Sequence, residues 1–270
     1  MATLVCLHAH PDDEVMTTGG LIARAAAEGH RVVLVIATNG EHGESPGDLD
    51  DGETLVDRRR KEVECSASVL GVDRIVWLGY SDSGMTGWKE NGNAGSFHLA
   101  DVNVAGEQVA DVLRAEGADV LTIYDWHGNY GHPDHIKVHH VGVEAGRRVP
   151  TVRILEATMN RNAFEAMINA AREAGVTLDS PDGDGEDFDP HGPADDGNPM
   201  GTPEAEITLA VDVSLYVETK RDAITCHRSQ VSDTSLFLEM PPEVFATAFG
   251  TEWFIERDSE PPMRRGWIFP

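Results

Sequence analysis

Two imidazoles and three carboxylates are concentrated near the start of the chain, in the stretch HAHPDDE at positions 8–14. This stretch directly follows the apolar run LVCL at 4–7, which is typical of a buried strand in a parallel sheet. A helical pattern at 21–27 comes after it. Because ligands of open α/β sheets bind where the strands end, the turn is a candidate site. Its imidazole and carboxylate groups favour a metal ion over a pyrophosphate, for which the turn would carry glycines.

A second group of metal-type ligands, DWHGNYGHPDH at 125–135, follows the strand predicted at 119–124. A parallel sheet brings such strand ends together at one edge. A catalytic zinc ion takes three protein ligands and keeps one position open for water. His10, Asp13 and His135 could supply these ligands, with Asp12 left free beside the water. Taken singly, each histidine is more typical of a surface or capping residue than of a metal ligand, but the occurrence of both groups at strand ends favours the metal site. A structural zinc is disfavoured because no cysteine lies near either stretch.

Apolar runs alternate with helical patterns along the chain. After the first strand, the predicted strands are 31–37, 74–78, 119–124, 151–158 and 206–213, and the predicted helices are 21–27, 58–70, 102–115, 133–147, 161–174 and 214–227. We therefore expect an α/β fold, a Rossmann-like three-layer sandwich with a mainly parallel sheet and a small irregular C-terminal lobe. A single domain of residues 1–270 is predicted, with a core at 1–150 and a lobe at 151–270 that contains an acidic loop, 179–196.

The composition excludes some partners and suggests a compartment. The chain carries 47 Asp and Glu against 21 Lys and Arg, a formal charge of −26 that repels nucleic-acid phosphates and anionic membranes. The first strand begins almost at the N-terminus, so no signal peptide is expected. Cys6, Cys65 and Cys226 are far apart and are expected to be free thiols in a reducing, cytoplasmic compartment. The composition does not exclude a homo-oligomer.

The two ligand-rich stretches, 8–14 and 125–135, contain the motifs HPDDE at 10–14 and GHPDH at 131–135. Together these motifs resemble the LmbE-like (PIG-L) superfamily of zinc-dependent N-deacetylases. Further pieces that agree with the pattern of this family are RRKE at 59–62, YSDSGM at 80–85, and Lys220, Ala223 and HRSQ at 227–230. The resemblance extends over nearly the whole chain. It implies hydrolysis of the acetamide group of N-acetylglucosaminyl compounds and related amides.

The resemblance also implies a role for each matching residue around the metal. His10, Asp13 and His135 match the zinc ligands of the family, and Fe²⁺ would suit the same ligands in the cell. Asp12 matches the general base, which takes a proton from water. Chemistry supports this role independently, because hydrolysis of an amide needs a Lewis acid that lowers the pKa of bound water to about 7 and a base beside it.

The remaining implied roles belong to residues that meet the substrate. His132 matches the imidazole that stabilises the oxyanion and protonates the leaving amine. Asp134 would orient His132, and Tyr130 would support the oxyanion. Arg59 and Asp82 match positions that hold the sugar hydroxyls. The partner is therefore expected to be a small N-acetylated amino sugar or a related amide.

We predict a metal-dependent hydrolase that removes the N-acetyl group from an N-acetylglucosamine-type conjugate by metal-activated water. The alternative is an amidase of the same superfamily that acts on a non-sugar or thiol-conjugate amide, although Thr17 stands where the branch for large thiol conjugates would have lysine. A non-catalytic sugar-binding module would not need the free carboxylate of Asp12. The polar residues left without an assigned role are His8, Glu14, His127, His139 and His227.

Overall fold

The computed structural model describes residues 1–173, 189, 191–230 and 237–270. Its strands are β1 (Thr3–His8), β2 (Arg31–Thr38), β3 (Arg74–Tyr80), β4 (Val120–Tyr124), β5 (Arg153–Thr158), β6 (Leu209–Asp212), β7 (Thr251–Glu256) and β8 (Arg264–Arg265). Its α-helices are α1 (Asp13–Thr17), α2 (Gly19–Ala27), α3 (Leu55–Leu70), α4 (Val102–Glu116), α5 (Gly128–Gly131), α6 (Pro133–Arg148), α7 (Arg161–Glu173), α8 (Val217–Ile224) and α9 (Pro242–Phe249).

The strands of the described residues form one sheet, in the order β3-β2-β1-β4-β5-β7-β6-β8. Strands β1 to β5 pair in parallel, whereas β7 is antiparallel to both β5 and β6. The predicted α/β fold with a mainly parallel sheet is confirmed. Strands β5 to β8 come from the chain after residue 150 and extend the same sheet, so the predicted boundary there does not separate two sheets.

The sheet has helices on both faces because its central strands are apolar on both sides. All six residues of β1 are buried. Leu4 packs into an apolar cluster with Leu21 of α2, and Val5 packs into a second cluster with Val109 of α4. Successive side chains of a strand point to opposite faces, so neighbouring residues of β1 serve the two different clusters. A continuous apolar run of this kind is what the sequence shows at 4–7.

The pairing of β1 with β4 determines where the two ligand-rich stretches meet. Cys6 lies opposite Thr122 in parallel register, so both strands end at the same edge of the sheet. At that edge His8 Nδ1 lies 2.9 Å from the hydroxyl of Tyr124. The chain order of the strands also reverses between β1 and β4, which is where open α/β sheets form a ligand crevice.

The expectation of three free thiols is wrong. Cys65 of α3 and Cys226, which follows α8, form a disulfide across a sequence separation of 161 residues. Cys6 is the free, buried cysteine. The spacing of the cysteines could not reveal this pair, because only the packing of α3 beside α8 brings them together. The prediction of a reducing, cytoplasmic compartment loses this support and stays a prediction.

Three elements near the C-terminus, α9, β7 and β8, were not predicted. The β7 sequence TEWFIE buries Glu252 together with Phe254, and a buried carboxylate hides the alternation that would identify a strand. The charge of Glu252 is balanced by Lys220 of α8, with Nζ 2.8 Å from Oε1. In the described parts of the chain, no helix has both the length and the apolar character needed to cross a membrane. Positions 179–188 and 190 of the acidic loop lie outside the described residues.

Replacing both disulfide cysteines, Cys65→Ser and Cys226→Ser, is expected to lower the free energy of unfolding by about 2–4 kcal/mol, because the cross-link restricts the unfolded chain. Urea unfolding with and without a reductant measures the change. The reductant should destabilise the wild-type protein and leave the double variant unaffected. Equal urea midpoints for the oxidised wild-type protein and the double variant would contradict the prediction.

Candidate metal centre and active site

The turn after β1 presents consecutive side chains in different directions. Asp12 has a φ of +94°, in the left-handed region that non-glycine residues rarely occupy. Helix α1 begins at the next residue, Asp13. One oxygen of Asp13, Oδ2, accepts a hydrogen bond from the backbone N–H of His10 at 2.8 Å. The turn thus folds back on itself and places His10 and Asp13 side by side.

Asp13 lies between the two imidazoles that are predicted to bind metal with it. Its Oδ1 is 3.2 Å from Nε2 of His135, and its Oδ2 is 3.4 Å from Nδ1 of His10. All three side chains are buried. The structure therefore brings these three residues together from two distant parts of the sequence.

His135 reaches this position because the stretch before α6 packs closely against the helix. Gly128 has a φ of +69°, and a Cβ there would lie 2.4 Å from Cβ of His135. Pro133 occupies the first turn of α6, as predicted, and His132 caps the helix by accepting the backbone N–H of Asp134 on Nδ1 at 3.1 Å. The local sequence therefore fixes both the entry of α6 and the ring of His132.

The hydrogen bond to Nδ1 determines the protonation of His132. A ring nitrogen that accepts an N–H carries no proton, so the neutral ring has its proton on Nε2. Burial lowers the pKa of His132 to about 2, and the imidazoles of His10 and His135 act in the same direction. His132 is therefore a neutral hydrogen-bond donor through Nε2.

The predicted role of Asp134, orienting His132, would require a contact between its carboxylate and the His132 ring. The carboxylate makes no such contact. The carboxylate instead accepts hydrogen bonds from the backbone N–H of Ser83, at 2.9 Å, and from the Ser83 hydroxyl. Its Oδ2 also lies 3.2 Å from Nε2 of His10. Asp134 orients His132 only through its own backbone N–H, and its side chain acts on His10. The contact with Ser83 was not predicted, because nothing in the spacing of YSDSGM marks that serine.

Among the described residues, two groups of buried side chains have the composition of a metal site. One group is His10, His132 and His135, and the other is His10, Asp82 and Asp134. Within each group, the ligand atoms all lie within 4.8 Å of one another. A proton links only two such atoms, whereas a divalent cation binds three or more, so this set of nitrogen and oxygen donors fits a metal ion. The predicted ligands share His10 and His135 with the first group and differ from it in the third member.

The charges of the cluster also favour a cation at its centre. Burial raises the pKa of Asp12 to about 6, although the guanidinium of Arg59 opposes this. Burial would also raise the pKa of Asp13, but His135 and His10 hold it well below its ordinary value. Burial would lower the pKa of His10, yet the surrounding carboxylates raise it well above its ordinary value. Negative charge therefore dominates around His10.

Arg59 and Asp82, predicted to hold sugar hydroxyls, are almost fully buried and have protein partners. Arg59 Nη2 donates to Asp12 Oδ2 at 2.8 Å and to the carbonyl of Pro11 at 2.5 Å. Asp82 accepts the backbone N–H of Gly84 at 2.8 Å, and its Oδ1 lies 3.6 Å from Nε2 of His10. In this arrangement Arg59 supports the predicted base and Asp82 supports a predicted ligand.

Tyr130 lies beside His135 and is hydrogen-bonded to part of the acidic loop. Its hydroxyl is 3.4 Å from Nε2 of His135. Its backbone carbonyl accepts the N–H of Asp195 at 2.9 Å, and the carbonyl of Asn129 accepts the N–H of Gly201 at 2.6 Å. The segment 191–201 is therefore hydrogen-bonded to the second ligand-rich stretch.

Three histidines without an assigned role, His8, His127 and His139, contact groups outside the metal-type cluster. His8 contacts the hydroxyls of Tyr124 and Thr18, each at 2.9 Å, and burial lowers its pKa to about 4. His139 contacts the carbonyl of Tyr124 at 3.1 Å, and His127 contacts the carbonyl of Gly201 at 3.2 Å. None of these three belongs to the metal-type groups found among the described residues.

His227 differs, because it contacts the turn that carries the predicted base. Its Nε2 lies 2.8 Å from Oε1 of Glu14, and both side chains are fully buried. Burial would lower the pKa of His227, but Glu14 raises it above its ordinary value. The two residues are far apart in sequence, so periodicity alone could not pair them. The only sequence signal was the match of HRSQ to the family pattern.

Comparison with known proteins identifies the family. The PIG-L model, described as GlcNAc-PI de-N-acetylase, matches residues 5–146. A 1D-myo-inositol 2-acetamido-2-deoxy-alpha-D-glucopyranoside deacetylase from Acidothermus cellulolyticus is 34% identical, over 99% of this chain and 90% of its own. A protein of the same name from a Nocardioides species is 34% identical, over 93% and 90%.

A solved structure agrees with the fold. The N,N'-diacetylchitobiose deacetylase from Pyrococcus horikoshii shares 24% identity over 94% of this chain and 82% of its own, with a TM-score of 0.55. Likeness at that identity shows the fold, while the family match and the more similar relatives show the ancestry. The resemblance expected from the two ligand-rich stretches is confirmed. The chain belongs to the PIG-L (LmbE-like) family of de-N-acetylases.

Proposed function

We propose that this protein is a zinc-dependent hydrolase that removes the acetyl group from a conjugate of N-acetylglucosamine. The observation that carries the proposal is the contact of Asp13 with both His10 and His135, next to the carboxylate of Asp12, which Arg59 binds through one oxygen. The names of the relatives support a glucosamine joined to inositol as the substrate class. The products would be acetate and a primary amine.

The residues around the cluster divide the chemistry between them. Zinc held by His10, Asp13 and His135 would supply a Lewis acid for the acetamide carbonyl and for water. Arg59 holds Oδ2 of Asp12, so Oδ1 is the oxygen positioned to take the proton of the attacking water. This contact also keeps the base in place, since Arg59 is itself buried.

His132 acts on the oxygen that gains charge when water attacks. Its Nε2 proton donates to that oxygen, as an oxyanion-stabilising group, and Tyr130 supports it from the side of His135. While Nδ1 accepts the N–H of Asp134, the ring cannot carry a second proton. The proposal therefore keeps the oxyanion role that the resemblance implies for His132 but not its role as the acid for the leaving amine. The proton taken by Asp12 is the one available to the leaving nitrogen. The predicted sugar contacts of Arg59 and Asp82 are not part of the proposal, because both groups have interior partners.

The substrate class is tested by measuring primary-amine release from three acetamides: N-acetylglucosamine joined to inositol, simple N-acetylglucosaminides, and an N-acetylated thiol conjugate. We expect the highest kcat/KM for the inositol compound, in keeping with the relatives. Amine release only from the thiol conjugate would contradict the sugar assignment and support the alternative amidase. Absence of amine release from all three by zinc-loaded protein would contradict deacetylation.

Removal of metal with a chelator is expected to abolish amine release, and zinc should restore it, because the carbonyl then regains its Lewis acid. Zinc should also stabilise the chelated protein against thermal unfolding, by about 2.7 kcal/mol at a concentration 100-fold above its dissociation constant. Magnesium is the control, since imidazole-rich sites bind it poorly. Full turnover by metal-free protein would contradict the proposal.

Asp12→Asn keeps the size of the side chain and removes its ability to take a proton. We expect kcat to fall about 10²–10⁴-fold with bound zinc retained. Asp119→Asn is the matched control, because Asp119 lies at the opposite edge of the sheet and accepts the N–H of Thr3 at 2.8 Å. If Asp12→Asn had the same kcat as Asp119→Asn, the assignment of Asp12 as the general base would be contradicted.

A further inference from the structure

Asp12 is held in an unusual backbone conformation from two sides. Its φ of +94° is rare for a residue with a Cβ, and such conformations persist when surrounding groups enforce them. On one side, Arg59 binds the Asp12 carboxylate at 2.8 Å and the Pro11 carbonyl at 2.5 Å. On the other side, the backbone N–H of Asp12 donates to Oε2 of Glu14 at 2.9 Å. Arg59 thus holds the side chain, and Glu14 holds the backbone.

Glu14 is fully buried and is itself held by two distant elements. Its Oε1 accepts a hydrogen bond from the hydroxyl of Ser66 in α3, at 2.5 Å, and contacts Nε2 of His227 at 2.8 Å. His227 is also fully buried, and in the described part of the chain its Nδ1 has no hydrogen-bond partner. The polar contact of the His227 ring is therefore directed entirely at Glu14.

The disulfide lies next to both donors. Cys65 immediately precedes Ser66, and Cys226 immediately precedes His227. The covalent bond therefore fixes the two groups that hold Glu14 relative to each other. Because Ser66 and His227 both hold Oε1 of Glu14, this carboxylate has little freedom to move. Its other oxygen, Oε2, is therefore pre-oriented toward the N–H of Asp12.

A second buried carboxylate shows what a purely structural role looks like in this fold. Glu252 is 5% exposed and accepts the backbone N–H groups of Gly20 and Leu21, each at 2.8 Å. Lys220 balances its charge. Glu252 therefore caps α2 and has no contact with Asp12. Glu14 is also buried, but one of its oxygens accepts the backbone N–H of Asp12, the residue proposed as the base.

We propose that Glu14 is a positioning residue for catalysis, and that Ser66 and His227 hold its carboxylate so that it fixes the backbone of Asp12. The inference rests on the proposed function, because it assigns Glu14 to the residue that takes the proton from water. Glu14, Ser66 and His227 touch neither substrate nor metal in this account. Their effect reaches the reaction through the orientation of the Asp12 carboxylate.

The kinetic test compares Glu14→Ala, His227→Ala, the double variant and Glu252→Ala, each with its zinc content and thermal midpoint. We expect Glu14→Ala and His227→Ala to lower kcat about 10²-fold at nearly unchanged KM and zinc content, since a small misplacement of a catalytic group has that effect. The double variant should lose no more than Glu14→Ala alone, because the two residues act as one unit. The proposal would be overturned if the double variant lost kcat by the product of the two single losses. It would also be overturned if Glu252→Ala lost as much kcat as Glu14→Ala.

Two milder variants keep the test decisive if an alanine variant does not fold. Glu14→Gln retains an oxygen for the Asp12 N–H, so kcat should stay within about 10-fold of wild type. Ser66→Ala removes a single hydroxyl and should lower kcat severalfold. An unchanged kcat in Ser66→Ala, or a Glu14→Gln variant as impaired as Asp12→Asn, would overturn the proposal.

Hydrogen exchange of the Asp12 amide separates this inference from the proposed function, because it needs no substrate. The amide should exchange at least about 10-fold faster in Ser66→Ala or Glu14→Ala than in wild type, and as slowly as wild type in Glu252→Ala. Unchanged exchange in the Glu14 variant would overturn the positioning role. A wild-type protein that releases no amine would instead overturn the proposed function, whatever the exchange rates.

Discussion

The parallel pairing of β1 with β4 is the constraint on which the site depends. It brings the ends of two strands, His8 and Tyr124, to the same edge of the sheet, and both ligand-rich stretches begin there. The strand order reverses at this point, so no helix crosses over the gap between the two ends. Without this pairing, Asp13 could not contact His10 and His135 together.

The same edge concentrates buried charge, and the fold compensates for it locally. Asp13 lies between two imidazoles, Asp134 is held by Ser83, and Asp12 is held by Arg59. Buried ionisable groups are costly unless they are paired, so each partner limits where its carboxylate can point. The carboxylate of Asp12 lies beside the cluster, and the backbone of Asp12 has a φ of +94°, which residues with a Cβ rarely adopt. The contacts that stabilise the turn after β1 therefore also position the proposed catalytic base.

The sequence predicts the elements that carry continuous apolar runs or strong capping signals. The buried run at 4–7 and Pro133 at the start of α6 are examples, and the meeting of His10 with His135 follows from them. Contacts that depend on packing between distant elements were not predictable from periodicity. The Cys65–Cys226 bond and the carboxylate contact of Asp134 with Ser83 are of this kind. A buried charged residue hides a strand in the same way, as Glu252 does in β7.

X-ray absorption at the zinc K-edge of the metal-loaded protein tests the metal centre directly, because it counts the imidazoles bound to the ion. The contacts of Asp13 predict two, from His10 and His135, with oxygen ligands completing the shell. The His132→Ala variant should give the same count. A spectrum that requires three imidazoles in the wild-type protein and two in the variant would place His132 on the metal. That result would contradict its role as a hydrogen-bond donor.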